Sequence, residues 1–305
     1  MRSPVRGSTR LTLALAQRAH GLQLAPVDIA GTRPLFVDLR DVSNHPFYRD
    51  SPHADCPIEH AEVAVLRHFV RPGDVAYDVG TNRGFLLVQL AALVGDTGRV
   101  VGFEPNPVLL PALRRTVAAT PWATLVEAGL SDASGHADLY VGSNHEKGSV
   151  GDWVRDLHAE PTRPISITLR RLDELIAEGL PRPDVVKVDV EGNELRVFRG
   201  AREALDREDA PVVLFESNVY AAPHATGEPA NAATQFLAAE CPRARFRFYF
   251  VWSWGLVTPA EPGSLVHGNL VALPAARAAR WPELDTHDFI ELLRDTPSAA
   301  RHAEA

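Results

Sequence analysis

Cysteine and lysine are both nearly absent from this chain. The 305 residues include two cysteines, Cys56 and Cys241, which stand far apart and form no C-x-x-C pair. The sequence therefore supports neither a disulfide framework nor a cysteine-ligated zinc site, and a reducing cytoplasmic location is expected. Positive charge comes almost entirely from arginine, since Lys147 and Lys187 are the only lysines. A lysine in so arginine-biased a chain suggests a functional role for its side chain.

Long apolar runs and a surplus of positive charge are also missing. The apolar run LTLALA after Arg10 is shorter than a usual signal-peptide core, and no segment is long enough to span a bilayer. We therefore expect neither export nor a membrane partner. The formal net charge is −8 and no basic patch is clustered, which argues against nucleic acid as a partner. Small-molecule chemistry is the better expectation, and the oligomeric state stays open.

The length suits one large α/β domain with appendages. Residues 1–55 are rich in Arg, Pro and His without sustained periodicity, so we expect an irregular N-terminal extension there. The main domain is predicted over residues 56–275. An Ala/Arg/Glu-rich tail is predicted over residues 276–305.

Apolar segments of strand length alternate with helical patterns along the main domain. The strands are predicted at 75–79, 100–103, 124–128, 185–190 and 212–215, with helices at 85–94 and 107–119 between the first three. The segments HADLYV and ISITL predict a β-hairpin inserted at the rim of the main sheet. The segments FRFYFVWSW and HGNLVALP predict an antiparallel C-terminal hairpin. Trp252 and Trp254 could pack in the core or line a pocket, and we expect the core.

A glycine-containing loop follows the first predicted strand. The loop DVGTNRG contains Asp78, Gly80, Asn82 and Gly84. Glycine tolerates positive φ and lets the backbone approach a bulky ligand, and ligands bind outside the carboxyl ends of parallel strands. Glu104 ends the second strand about 20 residues later, where a carboxylate can accept hydrogen bonds from both hydroxyls of a ribose. These features predict a nucleoside-cofactor site, although a tight turn and a helix cap would explain the loop alone equally well.

Charged residues interrupt the fourth predicted strand, DVVKVDVEG. Strand alternation puts Lys187, Asp189 and Glu191 on one side, although central parallel strands are normally apolar on both faces. Either Lys187 neutralises its neighbours structurally, or the three side chains face a cleft and take part in chemistry. We favour the cleft, because this segment lies at the predicted ligand edge. Glu216 ends the next strand and Asp132 follows the third, near the same edge.

Together these segments resemble the FkbM-type methyltransferases, a family of S-adenosylmethionine-dependent O-methyltransferases. DVGTNRG, GFEPNP, GLSDASG and VVKVDVEGNELRVFRGA occur in the order and spacing of that family, over residues 59–273. The KxDxEG segment is specific to it, and Thr81 stands where members usually have alanine. The resemblance implies a Rossmann-like class I methyltransferase fold with a mostly parallel seven-stranded sheet, the antiparallel C-terminal hairpin and the β-hairpin insertion.

The resemblance also assigns roles to individual residues. The implied cofactor-binding residues are Glu59 ahead of the first strand, Asp78, Gly80, Asn82 and Gly84 in the loop, Glu104 at the ribose and Asp132 beside the adenine. Lys187, Asp189 and Glu191 would face the transferred methyl group as catalytic residues. The implied acceptor is a hydroxyl of a sugar, glycoside or polyketide of secondary metabolism.

The reaction that follows is in-line methyl transfer from the sulfonium to a hydroxyl oxygen, accelerated mostly by alignment of the reacting atoms. Asp189 is the first candidate for the base that takes the hydroxyl proton, and His145 in the predicted rim insertion is the second. A divalent metal between Asp189 and Glu216 is conceivable because hard oxygen ligands suit Mg²⁺, but no established ligand spacing supports it.

Two other functions compete with this interpretation. A nicotinamide-dependent oxidoreductase would share the acid at the strand end but should carry GxGxxG, whereas this chain has DxGxNxG. A catalytically inactive cofactor-binding interaction module would be expected to lose the acids that face the methyl group. Lys187, Asp189 and Glu191 are all present.

Overall fold

The computed structural model describes residues 24–27, 29, 31–38, 60–141, 148–150, 152, 162–252, 256–281, 284 and 290–291. The strands are β1 Leu24–Val27, β2 Leu35–Asp38, β3 Val75–Val79, β4 Arg99–Phe103, β5 Ala123–Val126, β6 Gly129–Leu130, β7 Gly135–Val141, β8 Arg163–Arg170, β9 Val185–Val188, β10 Val212–Ser217, β11 Arg247–Val251, β12 Leu256–Ala260, β13 Gly268–Leu273 and β14 Ile290–Glu291. The helices are α1 His60–Phe69, α2 Phe85–Val94, α3 Leu110–Ala118, α4 Leu172–Ala177, α5 Glu194–Gly200, α6 Arg202–Leu205, α7 Ala221–Thr226, α8 Ala232–Glu240 and α9 Ala275–Ala278.

The main sheet has the strand order β14-β12-β11-β13-β10-β9-β3-β4-β5. The five strands from β10 to β5 are parallel, and β13 runs antiparallel between β10 and β11. This arrangement confirms the predicted Rossmann-like fold with an antiparallel C-terminal pair. The described sheet has nine strands rather than seven, because β12 and β14 extend it beyond β11.

Helices cover both faces of the parallel strands, which explains why those strands are apolar on both sides. Val185 and Leu214 belong to the core cluster that includes residues of α1 and α2. Val186 and Phe215 belong to the opposite cluster, which includes residues of α5 and α8. Because side chains alternate along a strand, Lys187 lies on the same face as Val185, beneath α1 and α2.

Some element ends differ from the sequence-based prediction. Helix α3 begins at Leu110 rather than at residue 107, because Asn106 first closes a turn. Its Oδ1 accepts the Val108 N–H at 3.1 Å and its carbonyl oxygen accepts the Leu109 N–H at 3.0 Å. Strand β9 ends at Val188, two residues before the predicted end, and this changes the position of the charged residues that follow.

The predicted rim hairpin is confirmed. Strands β7 and β8 pair antiparallel from Gly135 opposite Leu169 to Val141 opposite Arg163. Strand β6 adds to β8 in parallel, so a small three-stranded sheet stands beside the main one.

The segment before the main domain contains more structure than the predicted irregular extension. Strands β1 and β2 pair antiparallel, Leu35 and Val37 are buried in the core, and the Phe36 N–H donates to Thr116 Oγ1 of α3 at 2.9 Å. The alternation of buried and half-buried residues in β2 is typical of a strand packed on one face. The domain boundaries after residues 55 and 275 stay a prediction.

The expectation that Trp252 packs in the core is wrong. It follows the last residue of β11, is 39% exposed and donates its indole N–H to Thr258 Oγ1 at 3.2 Å. Trp254 lies outside the described residues. Among the helices that the structure describes, none combines the length and apolar character needed to cross a bilayer.

Candidate active site

Polar side chains line up along one edge of the main sheet, at the carboxyl ends of β3, β9 and β10 and the amino end of β13, on the face beneath α1. Asp78 of β3 pairs in register with Lys187 of β9, and Glu216 of β10 pairs with Asn269 of β13. Helix α1 contributes Glu62, whose Oε1 accepts a hydrogen bond from Asn269 Nδ2 at 2.7 Å. Five polar side chains that are distant in sequence thus meet at one edge of the sheet, which we call the rim.

Lys187 lies between the buried carboxylate of Asp78 and the partly exposed carboxylate of Asp189. Its Nζ lies 4.0 Å from Asp78 Oδ1 and 3.3 Å from Asp189 Oδ2. The side chains of Lys187 and Asp78 are 7% and 1% exposed, whereas that of Asp189 is 42% exposed. The lysine therefore neutralises its neighbours, as one interpretation of the sequence proposed. Asp189 nevertheless faces solvent, as a group that meets a substrate must.

Asp78 is a buried acid at the base of this arrangement. Neither of its oxygens accepts a hydrogen bond of ordinary geometry from the described residues. Burial raises the pKa of Asp78 to about 6, against the opposing attraction of Lys187, and repulsion from Asp189 raises it further. Attraction to Lys187 is thus the largest influence that favours the charged form of Asp78, and weaker interactions with Thr81 and the Leu87 backbone act in the same direction.

Gly80 brings the loop after β3 against the end of β9. It has a φ of +82°, and a Cβ at this position would lie 1.9 Å from the backbone oxygen of Asp189. The N–H groups of Gly80 and Thr81 both donate to the Phe103 oxygen, at 3.1 and 3.0 Å. No other residue type fits here, because both the backbone angle and the contact exclude a side chain.

Thr81, the departure from the family pattern, is accommodated by a neighbouring glycine. Its hydroxyl donates to the carbonyl oxygen of Asp78 at 2.7 Å. A Cβ on Gly102 of the adjacent strand would lie 2.6 Å from Thr81 Oγ1. Thr81 therefore fits without moving the loop, because residue 102 has no side chain.

Glu104 ties the glycine loop to the loop after β4. Its Oε2 accepts the Asn82 N–H and its Oε1 accepts the Asn106 N–H, both at 2.8 Å. Asn82 has a φ of +52°, a left-handed conformation that asparagine adopts more readily than most residues. Burial raises the pKa of Glu104 to about 7. Each carboxylate oxygen can accept a second hydrogen bond, so the group can also bind hydroxyls.

A turn, not the strand, positions Glu191. Because β9 ends at Val188, the expected alternation with Lys187 and Asp189 does not reach it, and Glu191 has a φ of +52°. Ser149 Oγ, from the segment between β7 and β8, donates to the Glu191 carbonyl oxygen at 2.9 Å. Strand alternation therefore does not determine the position of Glu191, which lies in the turn that follows Asp189, and its role stays a prediction.

Glu194 organises the same turn from the first residue of α5. Its Oε1 accepts the N–H groups of Val190 and Gly192 at 3.1 and 3.2 Å. A Cβ on Gly192 would lie 2.6 Å from the backbone carbon of Ala221, so this turn packs directly on α7.

Three carboxylates approach closely enough to share a cation. One oxygen from each of Asp189, Glu194 and Glu216 lies within 4.8 Å of the other two. Burial, followed by repulsion from Asp189 and Glu191, raises the pKa of Glu216 to about 9, and burial raises that of Glu194 to about 7. Asp189 and Glu216 are the pair that the sequence analysis considered for a divalent metal, and Glu194 completes a set of hard oxygen ligands of the kind that suits Mg²⁺.

Comparison with known proteins assigns the family. A family model for the methyltransferase FkbM domain matches residues 78–244, more than half of the chain. The chain belongs to the FkbM methyltransferase family. The match confirms the family that the sequence motifs indicated, and S-adenosylmethionine is the cofactor of such methyltransferases.

Two curated relatives and one solved structure illustrate the similarity of this FkbM-family chain. The hexuronic acid methyltransferase AglP of Haloferax volcanii is 30% identical over 166 residues, which cover 52% of this chain and 62% of AglP. The 31-O-demethyl-FK506 methyltransferase FkbM of Streptomyces tacrolimicus is 31% identical over 168 residues, 46% of this chain and 64% of the relative. The chain thus spans less than two thirds of either relative.

Among solved structures, the precorrin-6y C5,15-methyltransferase of Geobacter metallireducens matches with a TM-score of 0.40 and 15% identity, covering 70% of this chain and 88% of that one. The fold of the FkbM-family chain is assigned from its own strand order.

Not all the predicted site residues meet at the rim. Asp132 is exposed, and its Oδ1 accepts a hydrogen bond from Ser131 Oγ at 3.1 Å. The backbone of Ser131 lies against Gly200, at the end of α5, and no described contact joins Asp132 to Glu104. Its role at the adenine stays a prediction. Glu59 and His145 lie outside the described residues.

Glu62, Glu194 and Asn269 are rim residues that sequence reasoning missed. Glu62 is largely buried, which raises its pKa, and Lys187 opposes that shift. Its position three residues after Glu59, in the first turn of α1, was an available signal. Nothing local marked Asn269, because its contact with Glu62 joins residues 207 apart in sequence.

Replacing Asp78 by asparagine is expected to remove a loss of stability that the wild-type protein undergoes as pH rises from 4 to 7. The pKa of the Asp78 carboxyl is 3.8 in the unfolded chain and about 6 in the folded protein. The stability that the protonated group contributes is therefore fully present below pH 3.8 and is lost as pH rises through about 6. The variant avoids that loss, so the difference between its free energy of unfolding and that of wild type should shift in favour of the variant by about 2 kcal/mol between pH 4 and pH 7. Urea unfolding at several pH values measures the difference.

Asp209→Asn is the control for this experiment. Its hydrogen bonds with Arg207 lower the pKa of Asp209, so the sign reverses and this variant loses stability above the acidic range. The effect should be small, because this pair is exposed. A pH-independent difference between Asp78→Asn and wild type would contradict the assignment of a buried, destabilising charge.

Proposed function

We propose that this chain is an S-adenosylmethionine-dependent O-methyltransferase that acts on a hydroxyl of a small metabolite such as a sugar, glycoside or polyketide. The observation that carries the proposal is the contact between the glycine-containing loop after β3 and the segment after β9 that contains Asp189. Gly80 touches the backbone of Asp189, while the Asp189 side chain opens to solvent beside Lys187. One edge of the sheet thus offers a cofactor cradle and a proton acceptor side by side.

The residues present fit the cofactor. Bound S-adenosylmethionine supplies an electrophilic methyl group on a positively charged sulfonium. Glu104 would offer carboxylate oxygens to ribose hydroxyls, and Gly80, Asn82 and Gly84, all with positive φ, would form the loop that the cofactor approaches. The buried carboxylate of Asp78, which lacks an ordinary hydrogen bond from the described residues, favours a cationic neighbour.

The remaining rim residues supply the chemistry on the acceptor side. Asp189 can take the proton that the acceptor hydroxyl loses as its oxygen forms the new bond to carbon. Lys187, which is buried and 3.3 Å away, holds Asp189 in place. Glu216, which keeps its proton at neutral pH, can donate a hydrogen bond to the acceptor, and Glu191 lies in the adjoining turn.

Several finer points belong to this proposal. The names of the two relatives give a hexuronic acid and 31-O-demethyl-FK506 as substrates, which supports a small-molecule acceptor. A hydroxylated acceptor, a cytoplasmic location and the lack of nucleic-acid or membrane partners remain predictions from the sequence. The family match disfavours the oxidoreductase alternative. The presence of Lys187, Asp189 and Glu191, which an inactive module would be expected to lose, disfavours the second alternative.

Isothermal titration with S-adenosylhomocysteine, with NADH and NADPH run alongside, tests the proposal. We expect micromolar binding of S-adenosylhomocysteine and none of the nicotinamides. Glu104→Gln should weaken binding about 10- to 100-fold, because it removes the charge from a hydrogen bond to the ribose. Glu127→Gln, at an exposed ion pair with Arg114, is the control and should bind like wild type.

Selective binding of a nicotinamide, or no binding by a folded wild-type protein, would overturn the methyltransferase proposal. Equal binding by Glu104→Gln and wild type would remove Glu104 from the ribose site.

A further inference from the structure

A cavity opens at the edge of the main sheet opposite the rim. Its volume is about 80 Å³, and the charged residues that line it are Arg182, Asp184, Arg207, Asp209 and Arg277. Asp184 directly precedes β9, and Pro211, which also lines the cavity, directly precedes β10. At roughly 3.3 Å per residue, about 15 Å of chain separates Asp184 from Asp189. A ligand in this cavity therefore lies apart from the catalytic residues.

The lining of the cavity is positively charged although the chain as a whole is negative. Three guanidinium groups face two carboxylates there, which leaves one positive charge, whereas the formal net charge of the chain is −8. Charges in a recess act more strongly on an ion than charges on a flat surface, because less water screens them. The charge balance thus favours an anionic ligand.

Both carboxylates of the cavity already accept hydrogen bonds from the protein. Asp184 Oδ1 accepts one from Arg277 Nη2 at 3.0 Å, and its Oδ2 accepts the Val75 N–H at 3.0 Å. The two Asp209 carboxylate oxygens accept the Nε and Nη2 groups of Arg207, at 2.8 and 3.0 Å. These acids therefore hold the wall of the cavity together.

The guanidinium groups, in contrast, keep donors to spare. Arg277 is 12% exposed, and its Nε and Nη2 donate to the carbonyl oxygens of Ala210 and Asp209, at 2.7 and 3.1 Å. Its Nη1 has no hydrogen bond to the residues that the structure describes. The Arg182 side chain forms neither a hydrogen bond nor an ion pair within the described part of the chain. Because a guanidinium has five N–H donors in a rigid plane, an arginine fixed by some of them presents the others without further ordering.

We propose that Arg182, Arg207 and Arg277 form a binding site for a phosphate group, separate from the catalytic site. Arginine suits phosphate because its donors match two phosphate oxygens at once. A tetrahedral phosphate offers oxygens in several directions and can meet three guanidinium groups, whereas a carboxylate offers two oxygens in one plane. The cavity has several times the space of roughly 10–15 Å³ that one water requires, so the five heavy atoms of a phosphate fit.

Thermal unfolding of the full chain at increasing phosphate concentration and constant ionic strength tests the inference. A ligand of the folded state raises the midpoint temperature in a saturable manner. We expect half-saturation at millimolar inorganic phosphate, the affinity that about two or three charge-assisted hydrogen bonds provide. Arg182→Gln should fold normally, because this side chain is exposed and unpaired among the described residues, and should weaken phosphate binding about ten-fold.

Two further titrations define the ligand. Acetate, which carries a single carboxylate, should give no saturable shift. Glycerol 3-phosphate distinguishes two sources of the phosphate group: tighter binding than inorganic phosphate indicates a phosphorylated metabolite, and weaker binding indicates free phosphate.

Arg115→Gln is the matched control, because Arg115 is an exposed arginine of α3 outside the cavity. It removes the same charge and should keep the phosphate affinity of wild type. Phosphate also stabilises folded proteins by its exclusion from their surface, an effect that is not saturable and is equal in all variants. A shift without saturation, an unchanged affinity in Arg182→Gln, or an equal loss in Arg115→Gln would overturn the inference. A saturable response to acetate would overturn the assignment to phosphate.

Discussion

Asp189→Asn is expected to lower kcat for methyl transfer by about 10²- to 10⁴-fold, the usual contribution of a positioned general base. Asparagine keeps the shape and the contact with Lys187 but cannot take a proton. The affinity for S-adenosylhomocysteine should stay within about two-fold of wild type. The Asp189 side chain is 42% exposed, so its replacement should leave the fold intact. Steady-state kinetics with the best acceptor from a panel of hydroxylated metabolites measures kcat.

Asp209→Asn provides a matched control for this kinetic experiment. Arg207 and Asp209 form an ion pair two residues apart, like Lys187 and Asp189, but on an exposed surface away from the rim. This variant should keep the kcat of wild type. A kcat for Asp189→Asn within a few-fold of wild type would rule out Asp189 as the base and would leave alignment of the reacting atoms as the main source of acceleration.

The parallel strands were predictable because their sequences are governed by burial on both faces. Strand β3 spans the predicted residues, and Lys187 stood out because a charge in such a strand must be paired or functional. The structure meets that requirement through Asp78, which is opposite Lys187 in the register of β3 and β9. Sequence reasoning placed both residues at one edge but could not know that they are neighbours.

Other parts of the site depend on contacts that no local pattern encodes. The Glu62 contact with Asn269 crosses 207 residues, and the Ser149 bond to the Glu191 carbonyl crosses 42. Alternation failed at Glu191 because a left-handed turn begins where a continued strand was expected. The expectation that Trp252 packs in the core rested on its being an aromatic strand residue. It failed because β11 ends one residue earlier and leaves Trp252 exposed beyond the strand.

Gly80→Ala is expected to abolish S-adenosylhomocysteine binding and to destabilise the fold more than any exposed glycine substitution. The added Cβ would lie 1.9 Å from the backbone oxygen of Asp189, and a backbone atom within this packed edge cannot move aside. Gly227→Ala is the matched control, because Gly227 has a φ of +76° and no atom within 4 Å of its Cβ position. The control should cost only the left-handed strain, about 1–2 kcal/mol.

Urea unfolding of both variants compares the cost of backbone strain alone, in Gly227→Ala, with the cost of strain plus the steric clash with Asp189, in Gly80→Ala. Titration with S-adenosylhomocysteine shows whether the Gly80 variant still binds the cofactor product. Equal losses of stability in the two variants would mean that the contact between Gly80 and Asp189 contributes nothing. The expected inequality has a consequence for catalysis. The atom that excludes a side chain at Gly80 belongs to the proposed base, so the loop that binds the cofactor also fixes where Asp189 stands. Any Gly80 variant that still folds should therefore lose cofactor affinity and kcat together.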